Sequence, residues 1–352
     1  KPQFFFFGGL SEKKGLRGIG KLAKELNQEK PMRFVCKEAC SADFSGPENE
    51  FKQLNIFPFK RAFGLTPLRW SYKAMTWIEY ELFDFFASRC VENSSPVYAV
   101  QGMALNIFKK AKKLGLKKFL IASSLHIERV WSLHKEEEKI LGYDYEWLGP
   151  KLKDKILREY ELADLIIVPS ELTLETFTER GFAQERLKLM PREIDQDYFR
   201  RRQAKQDKVF RVLFVGRITP QKGIHYLVQA FRELNLPDSE LILFGSTATR
   251  AANRWFKKLI SNKRNIVTAC GDARDAYEQA SVLVHPSLQD NYGLAVPEAL
   301  TYGLPVIVTE NTGAKDLVKD GVNGFIIPIR DTEAIKEKIR FYYRKKDART
   351  GD

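Results

Sequence analysis

Between residues 210 and 328 the chain alternates regularly between short apolar runs and helical patterns, and few folds accommodate that rhythm. The apolar runs are Phe210–Val215, Glu240–Phe244, Asn265–Thr268, Ser281–His285, Pro305–Thr309 and Gly324–Pro328. Helical patterns at Gly223–Leu234, Ala252–Ile260, Arg274–Gln279 and Pro297–Tyr302 separate most of them. Short apolar strands divided by helices predict a parallel sheet covered on both faces, an α/β domain of Rossmann-like type. The first half repeats this style less cleanly. Strands are predicted at Gln3–Phe7, Met32–Val35, Pro96–Val100, Lys118–Ser123 and Asp164–Pro169, and helices at Ile19–Asn27 and Asn106–Leu116. A helix-rich insert at about 66–90 is crowded with aromatics (Trp70, Tyr72, Trp77, Tyr80, Phe83, Phe85, Phe86), which read as a core of its own.

A chain of 352 residues exceeds one ordinary core and suits two domains. The stretch 197–208, rich in Arg, Lys and Gln, reads as the linker between a domain at 1–196 and another at 209–352. The formal charge of +13 points to an anionic partner: a phosphorylated small molecule, an acidic membrane surface or nucleic acid. No basic stripe with interleaved aromatics supports the last. Cys36, Cys40, Cys90 and Cys270 are too few and too scattered for a disulfide framework, and they read as reduced thiols of a cytoplasmic protein. No run approaches the roughly 20 apolar residues of a membrane span. The Phe4–Phe7 run leads straight into Gly8-Gly9 and reads as a buried strand.

Two segments carry chemistry. Val215-Gly216-Arg217-Ile218-Thr219-Pro220-Gln221-Lys222-Gly223 follows a predicted strand and opens a predicted helix, with Thr219 as N-cap and Pro220 in the first position. Free N–H groups there favour an anion. Arg217 adds a planar fork for phosphate oxygens and Lys222 a mobile point charge, an arrangement suited to a diphosphate. The plain alternative is two surface cations beside a tight turn. In the second segment Asp290 and Glu298 lie eight residues apart across a glycine turn, after the strand 281–285. Carboxylates there can accept hydrogen bonds from sugar and ribose hydroxyls. Glu298 also suits the dipole of a helix N-terminus whatever its function.

Asp290–Glu298 followed by Ala299-Leu300-Thr301-Tyr302-Gly303-Leu304-Pro305-Val306 closely resembles the signature of family 4 retaining glycosyltransferases, the glycosyl transferases group 1. In that pattern a Glu, seven residues and a second Glu precede Ala and a Gly-x-Pro-Val. The resemblance extends upstream to Gly216-Arg217…Lys222-Gly223 and downstream to Asp320–Phe325. It implies a GT-B fold of two facing Rossmann-like domains with a deep interdomain cleft, the donor held by the second and the acceptor by the first. Arg217 and Lys222 would then bind the diphosphate of a nucleoside diphosphate sugar, and Glu298 the ribose hydroxyls. Asp290, Asn291, Tyr292, Gly293 and Leu294 would meet the donor sugar. Gly216, Gly245 and Ser246 would line the same pocket, with Gly271 and Asp272 near the base. Gly8 and Gly9 resemble the glycine loop under the donor, or are an ordinary turn. His126, at the end of an apolar run, matches a position near the reacting sugar, or is structural.

The implied reaction transfers a hexose-like unit to an acceptor hydroxyl with retention, without cofactor or metal. Asp195-Gln196-Asp197 mimics a DxD metal motif, but its place at the interdomain junction marks it as a decoy. The chain departs from the family in two places. Asp290 stands where Glu is usual, about 1.5 Å shorter in reach, and Arg192-Glu193 replaces the usual Asn-Gly. Other GT-B chemistries, inverting transfer or epimerisation, and a catalytically silent nucleotide-sugar binder are the alternatives. Lys109, Lys110, Lys112 and Lys113 make a basic helix that is either a solvated face or a patch for an anionic membrane, peripheral on its cytoplasmic side. The tail from Glu337 reads as the start of a helix crossing back to the first domain.

Overall fold

The computed structural model describes residues 1–6, 33–36, 50–54, 71–93, 95–145, 149–200, 203, 205, 207–247, 250–261 and 265–348. The chain divides into two compact units, Lys1–Ser132 with Glu146–Glu193, and Leu133–Tyr145 with Ile194–Asp352. Leu133–Tyr145, assigned to the first domain by sequence pattern, joins the second unit through Glu137. This buried carboxylate binds His225 (2.7 Å), Tyr226 (3.0 Å) and Arg330 (2.8 Å). The expected linker is also partly core, since Phe199 is fully buried in the second unit and packs on Tyr277.

In the first unit, β1 (Gln3–Phe6), β2 (Arg33–Cys36), β3 (Glu50–Gln53), β4 (Val97–Val100), β5 (Lys118–Ile121), β6 (Leu165–Val168) and β7 (Leu187–Leu189) form one sheet. Its order is β3-β2-β1-β4-β5-β6-β7, parallel throughout, with Phe4 opposite Phe34 and Tyr98. The helices are α1 (Tyr72–Ser88), α2 (Leu105–Lys113), α4 (Pro150–Leu162) and α5 (Glu171–Thr178), and α3 (Ile127–Leu141) begins in this unit and passes into the second at Leu133. The aromatics of α1 are not a separate core. Phe83 is fully buried in the core of the unit, and Trp77, Tyr80 and Phe86 pack against it. Trp70 lies outside the described residues, as do Gly8, Gly9, Cys40 and the helix expected at 19–27.

Helix α2 begins without a local cap, because Ala104 offers no side-chain acceptor. Distant carboxylates supply what its first turn lacks. Glu159 of α4 accepts from the N–H groups of Gly102, Ala104 and Leu105 at 2.6, 2.9 and 3.2 Å. Asp84 of α1 accepts from Asn106 and Ile107 at 2.9 and 3.0 Å, and Lys155 binds Asp84 at 2.8 Å. Three helices are locked together by these contacts, and all three acidic or basic side chains are buried.

The second unit contains β8 (Phe210–Val215), β9 (Ser239–Phe244), β10 (Ile266–Ala269), β11 (Val282–His285), β12 (Val306–Thr309) and β13 (Gly324–Ile327), with α6 (Ile224–Leu234), α7 (Arg250–Leu259), α8 (Arg274–Gln279), α9 (Ala295–Thr301) and α10 (Thr332–Ala348). The sheet order is β10-β9-β8-β11-β12-β13, again parallel. Successive strand residues point to opposite faces. Leu213, Leu283 and Val308 therefore meet Val296 and Ala299 of α9 on one face. Phe214, Val284 and Ile307 meet Leu227 of α6 and Ile339 of α10 on the other. Helix α10 packs within this unit: Ile335 and Ile339 are fully buried, and the Tyr343 hydroxyl donates to the Pro237 carbonyl at 3.2 Å. No helix among the described residues is long and apolar enough to cross a membrane.

From β8 the chain runs outward to β9 and β10, then returns to β11 on the other side. The order reverses between β8 and β11, and open α/β sheets bind ligands at the carboxyl ends of such neighbours.

Candidate functional site

Three loops meet at the carboxyl ends of β8, β9 and β11. After β8 the chain turns at Gly216, passes the exposed Arg217, and makes a single tight 3-10 turn at Pro220–Lys222. Helix α6 starts only at Ile224, and Thr219 makes no side-chain cap, so the expected uninterrupted entry into a helix is replaced by a kink. Gly223 makes that kink with φ 64°, and a Cβ there would stand 1.9 Å from the Pro286 carbonyl oxygen. Only glycine lets the β8 and β11 loops approach so closely. The β9 loop is joined in the same way. The Ile218 N–H donates to the Ser246 carbonyl at 2.9 Å, and a Cβ on Gly245 would meet the Gly216 carbonyl oxygen at 1.8 Å. The Leu288 N–H donates to the Gln221 carbonyl at 2.9 Å, closing the third side.

At this junction the Lys222 ammonium pairs with the Asp290 carboxylate. The Nε2 of His285 lies 3.0 Å from the same oxygen. Burial acts to raise the Asp290 pKa, but the Lys222 charge and the His285 hydrogen bond outweigh it and hold the carboxyl well below its usual range. For His285 burial wins over the attraction of Asp290 and lowers its pKa, so the imidazole is neutral at physiological pH. His134, also buried, is pushed down to about 3 by burial and by the charges of Lys135 and Lys222. Neither histidine belongs to a sequence motif that marks it.

Glu298 sits in the first turn of α9, which starts at Ala295, two residues before the expected Pro297. It is 1% exposed, and the Tyr277 hydroxyl donates to its Oε2 at 2.7 Å. Tyr277 is itself clamped by stacking on Tyr302 at 5.2 Å. Gly293 takes φ 85°, and its carbonyl accepts from the Val296 N–H at 2.9 Å. The Tyr292 carbonyl accepts from the Ala314 N–H at 2.6 Å, while Asn291 and Leu294 are half-buried in the same turn. Gly271 (φ 114°) and Asp272 are exposed. Asp272 binds Arg274 at 2.6 Å and Tyr198 at 3.3 Å.

Asp195, the first carboxylate of the apparent DxD motif, accepts from the Tyr198 N–H at 3.0 Å and so shapes a turn. Among the described residues no group of three or more His, Cys, Asp or Glu side chains is placed to hold a metal ion. In the first unit, His126 is buried among Tyr160, Phe177 and Phe182, with centroids at 5.0, 5.0 and 5.7 Å. Burial pushes it down to about 4, and its Nδ1 faces the Glu128 N–H at 3.4 Å.

The segment that builds the loop junction is also the segment with recognisable relatives: residues 195–350 match the family model described as glycosyl transferases group 1. Those residues are thus similar to the group 1 glycosyltransferases. An uncharacterized glycosyltransferase of Methanocaldococcus jannaschii is 29% identical to this chain over 196 residues, 51% of this chain and 50% of the relative. The alpha-monoglucosyldiacylglycerol synthase of Acholeplasma laidlawii is 28% identical over 204 residues, 54% and 46% respectively. The matches thus span about half the length of these curated relatives. Among solved structures, Anabaena HepE in complex with UDP-glucose superposes with a TM-score of 0.69 at 16% identity, covering 98% of this chain and 90% of that one. This likeness establishes the GT-B fold. Within the matched residues, Gly216, Lys222, Gly245, Ser246 and Asp290 are joined by the contacts above, whereas Glu298 and Asp272 are held by separate partners, Tyr277 and Arg274.

Proposed function

We propose that the chain is a retaining glycosyltransferase that moves a sugar from a nucleoside diphosphate sugar to an acceptor hydroxyl. The observation that carries this reading is the Lys222 ammonium at the meeting point of the β8, β9 and β11 loops, at the reversal of strand order in a group 1 glycosyltransferase domain. A leaving diphosphate develops negative charge as the glycosidic bond breaks. Lys222 and Arg217 would meet that charge without reorganisation, lowering the barrier electrostatically, and the proposed reaction therefore calls for no metal ion. Glu298, oriented by Tyr277, would accept the ribose hydroxyls, and the Asn291–Leu294 turn would lie against the sugar. The HepE complex with UDP-glucose supports a nucleotide-sugar donor.

The α2 lysines support a finer proposal, peripheral association with an anionic membrane. Lys109, Lys110, Lys112 and Lys113 are all exposed, and Lys109, Lys112 and Lys113 share a shallow groove with Arg158. One relative is named as a synthase of a glucosylated diacylglycerol.

A thermal-shift screen with UDP-, GDP-, ADP- and dTDP-sugars tests the donor, and NMR of the product anomer tests retention. A specific shift with retained configuration is expected. An inverted product, free epimerised donor, or donor binding without transfer to any of a broad panel of acceptors would replace the reading with one of the other GT-B functions.

A further inference from the structure

The Asp290 carboxylate takes its place under several independent constraints. Its Oδ2 receives both the Lys222 ammonium and the His285 Nε2, while its Oδ1 faces the Tyr292 N–H at 3.4 Å. Its backbone is clamped on both sides: the Asp290 N–H donates to the Asn311 carbonyl and the Gly313 N–H to the Asp290 carbonyl, each at 2.9 Å. His285 can point in one direction only. It is 2% exposed, stacks on Phe214 with centroids at 6.3 Å and an interplanar angle of 10°, and its buried Nδ1 has no hydrogen-bond partner. The ring's single proton therefore belongs on Nε2, aimed at Asp290. The space is tight as well. A Cβ on Gly293 would lie 2.8 Å from the Thr312 Cγ2 and 3.3 Å from the His285 Nε2.

We infer that Asp290, seated on His285, is a positioning residue for Lys222, and that its carboxylate serves that cation instead of the hydroxyls of the donor sugar. The inference deepens the proposed function and rests on it. A neutral histidine that donates to a carboxylate leaves the carboxylate's full charge for the ammonium. Lys222 is thus pinned by an internal counter-ion, at the point where a diphosphate would share it. Aspartate suits this task where a glutamate would not. A side chain longer by about 1.5 Å would carry the carboxylate past the oxygen position that His285 and Lys222 both reach. The inference also gives a reason for the exchange of Glu for Asp at this position of the signature.

Calorimetry with UDP, GDP, ADP and dTDP, each paired with its glucose conjugate, separates the two roles of Asp290. In Asp290→Asn the counter-ion is lost. Affinity for the accepted nucleoside diphosphate and for its sugar conjugate should rise together, by about threefold or more, while donor turnover at saturation falls about tenfold or more because Lys222 is no longer held. His285→Phe should lower turnover in the same way, and His285→Gln, which restores a donor to the same oxygen, should return it to within about threefold of the wild type. Weaker binding of the sugar conjugate alone, with the bare diphosphate unchanged, would show Asp290 gripping the sugar and overturn the inference. Equal turnover in His285→Phe and wild type would overturn the part assigned to His285. Nucleotide binding by each variant reports a folded site, and if the Phe variant binds none, Asp290→Asn and His285→Gln still decide. If no pair binds the wild-type protein, the donor-site reading fails and the inference with it.

Discussion

Lys222 is the side chain on which most of the proposed chemistry depends, and its removal has a defined expectation. Lys222→Ala should lower turnover by about 100-fold or more, comparable to the loss of one charge-stabilising donor at a developing anion. Steady-state kinetics with the identified donor checks this, and near-normal kcat would sink the assignment. The glycines around it are a second test. Gly293→Ala must place a methyl 2.8 Å from the Thr312 Cγ2 at φ 85°, so it should lose about 1–3 kcal/mol of stability and weaken donor binding, both measurable by denaturant unfolding and calorimetry. At this scale the motif residues were legible in sequence because charge and spacing announce them. His285 and Tyr277 were not, since each acts through a contact that only the fold creates. His285 looks like the last residue of a strand, and Tyr277 lies 21 positions from the carboxylate it orients.

At the scale of elements, the pattern that made the central strands readable is burial on both faces. Val282–His285 and Val306–Thr309 are buried at every position, which gives the continuous apolar runs seen in the sequence. The edge strands β3 (Glu-Phe-Lys-Gln) and β7 (Leu-Lys-Leu) carry too few apolar residues to stand out. Helix α2 starts at Leu105, one residue before the expected Asn106, but the groups that cap it are hidden in the sequence, because they come from Asp84 and Glu159, far along the chain. His126 offers a prediction on the packing of α4 and α5. In the unfolded chain it takes a proton below about pH 6.5, whereas in the folded chain the surrounding rings hold it neutral down to about 4. The folded state therefore binds fewer protons across that window, and the stability His126 contributes at neutral pH is lost as pH falls from 6.5 to 4. Urea unfolding should show the wild type losing up to about 3 kcal/mol on this account, a loss absent from His126→Phe. Parallel pH profiles for the two proteins would mean that the histidine is solvated or charged in the folded state.

For the molecule as a whole, the excess of positive charge is the property that the donor site explains least. A diphosphate engages Arg217 and Lys222, but the chain carries a formal charge of +13, and the α2 lysines lie in the other compact unit from these two residues. The fold narrows which of them act together. Lys109, Lys112 and Lys113 line one groove with Arg158, whereas Lys118, the first residue of β5, is buried against Asp164 at 2.8 Å and unavailable to a partner. A patch of this kind attracts an anionic bilayer by about 1 kcal/mol per lysine near the surface. Replacing Lys109, Lys112 and Lys113 together by alanine should then lower partitioning onto phosphatidylserine vesicles by roughly 100-fold, leave donor binding in solution unchanged, and flatten the dependence on salt, because attraction between exposed charges fades beyond a Debye length of about 8 Å at physiological ionic strength. Co-sedimentation at two salt concentrations measures all of this. Wild-type protein that fails to bind such vesicles at low salt, or a triple variant that binds as well, would leave the lysines as a solvated helix face and remove the membrane from the proposed function.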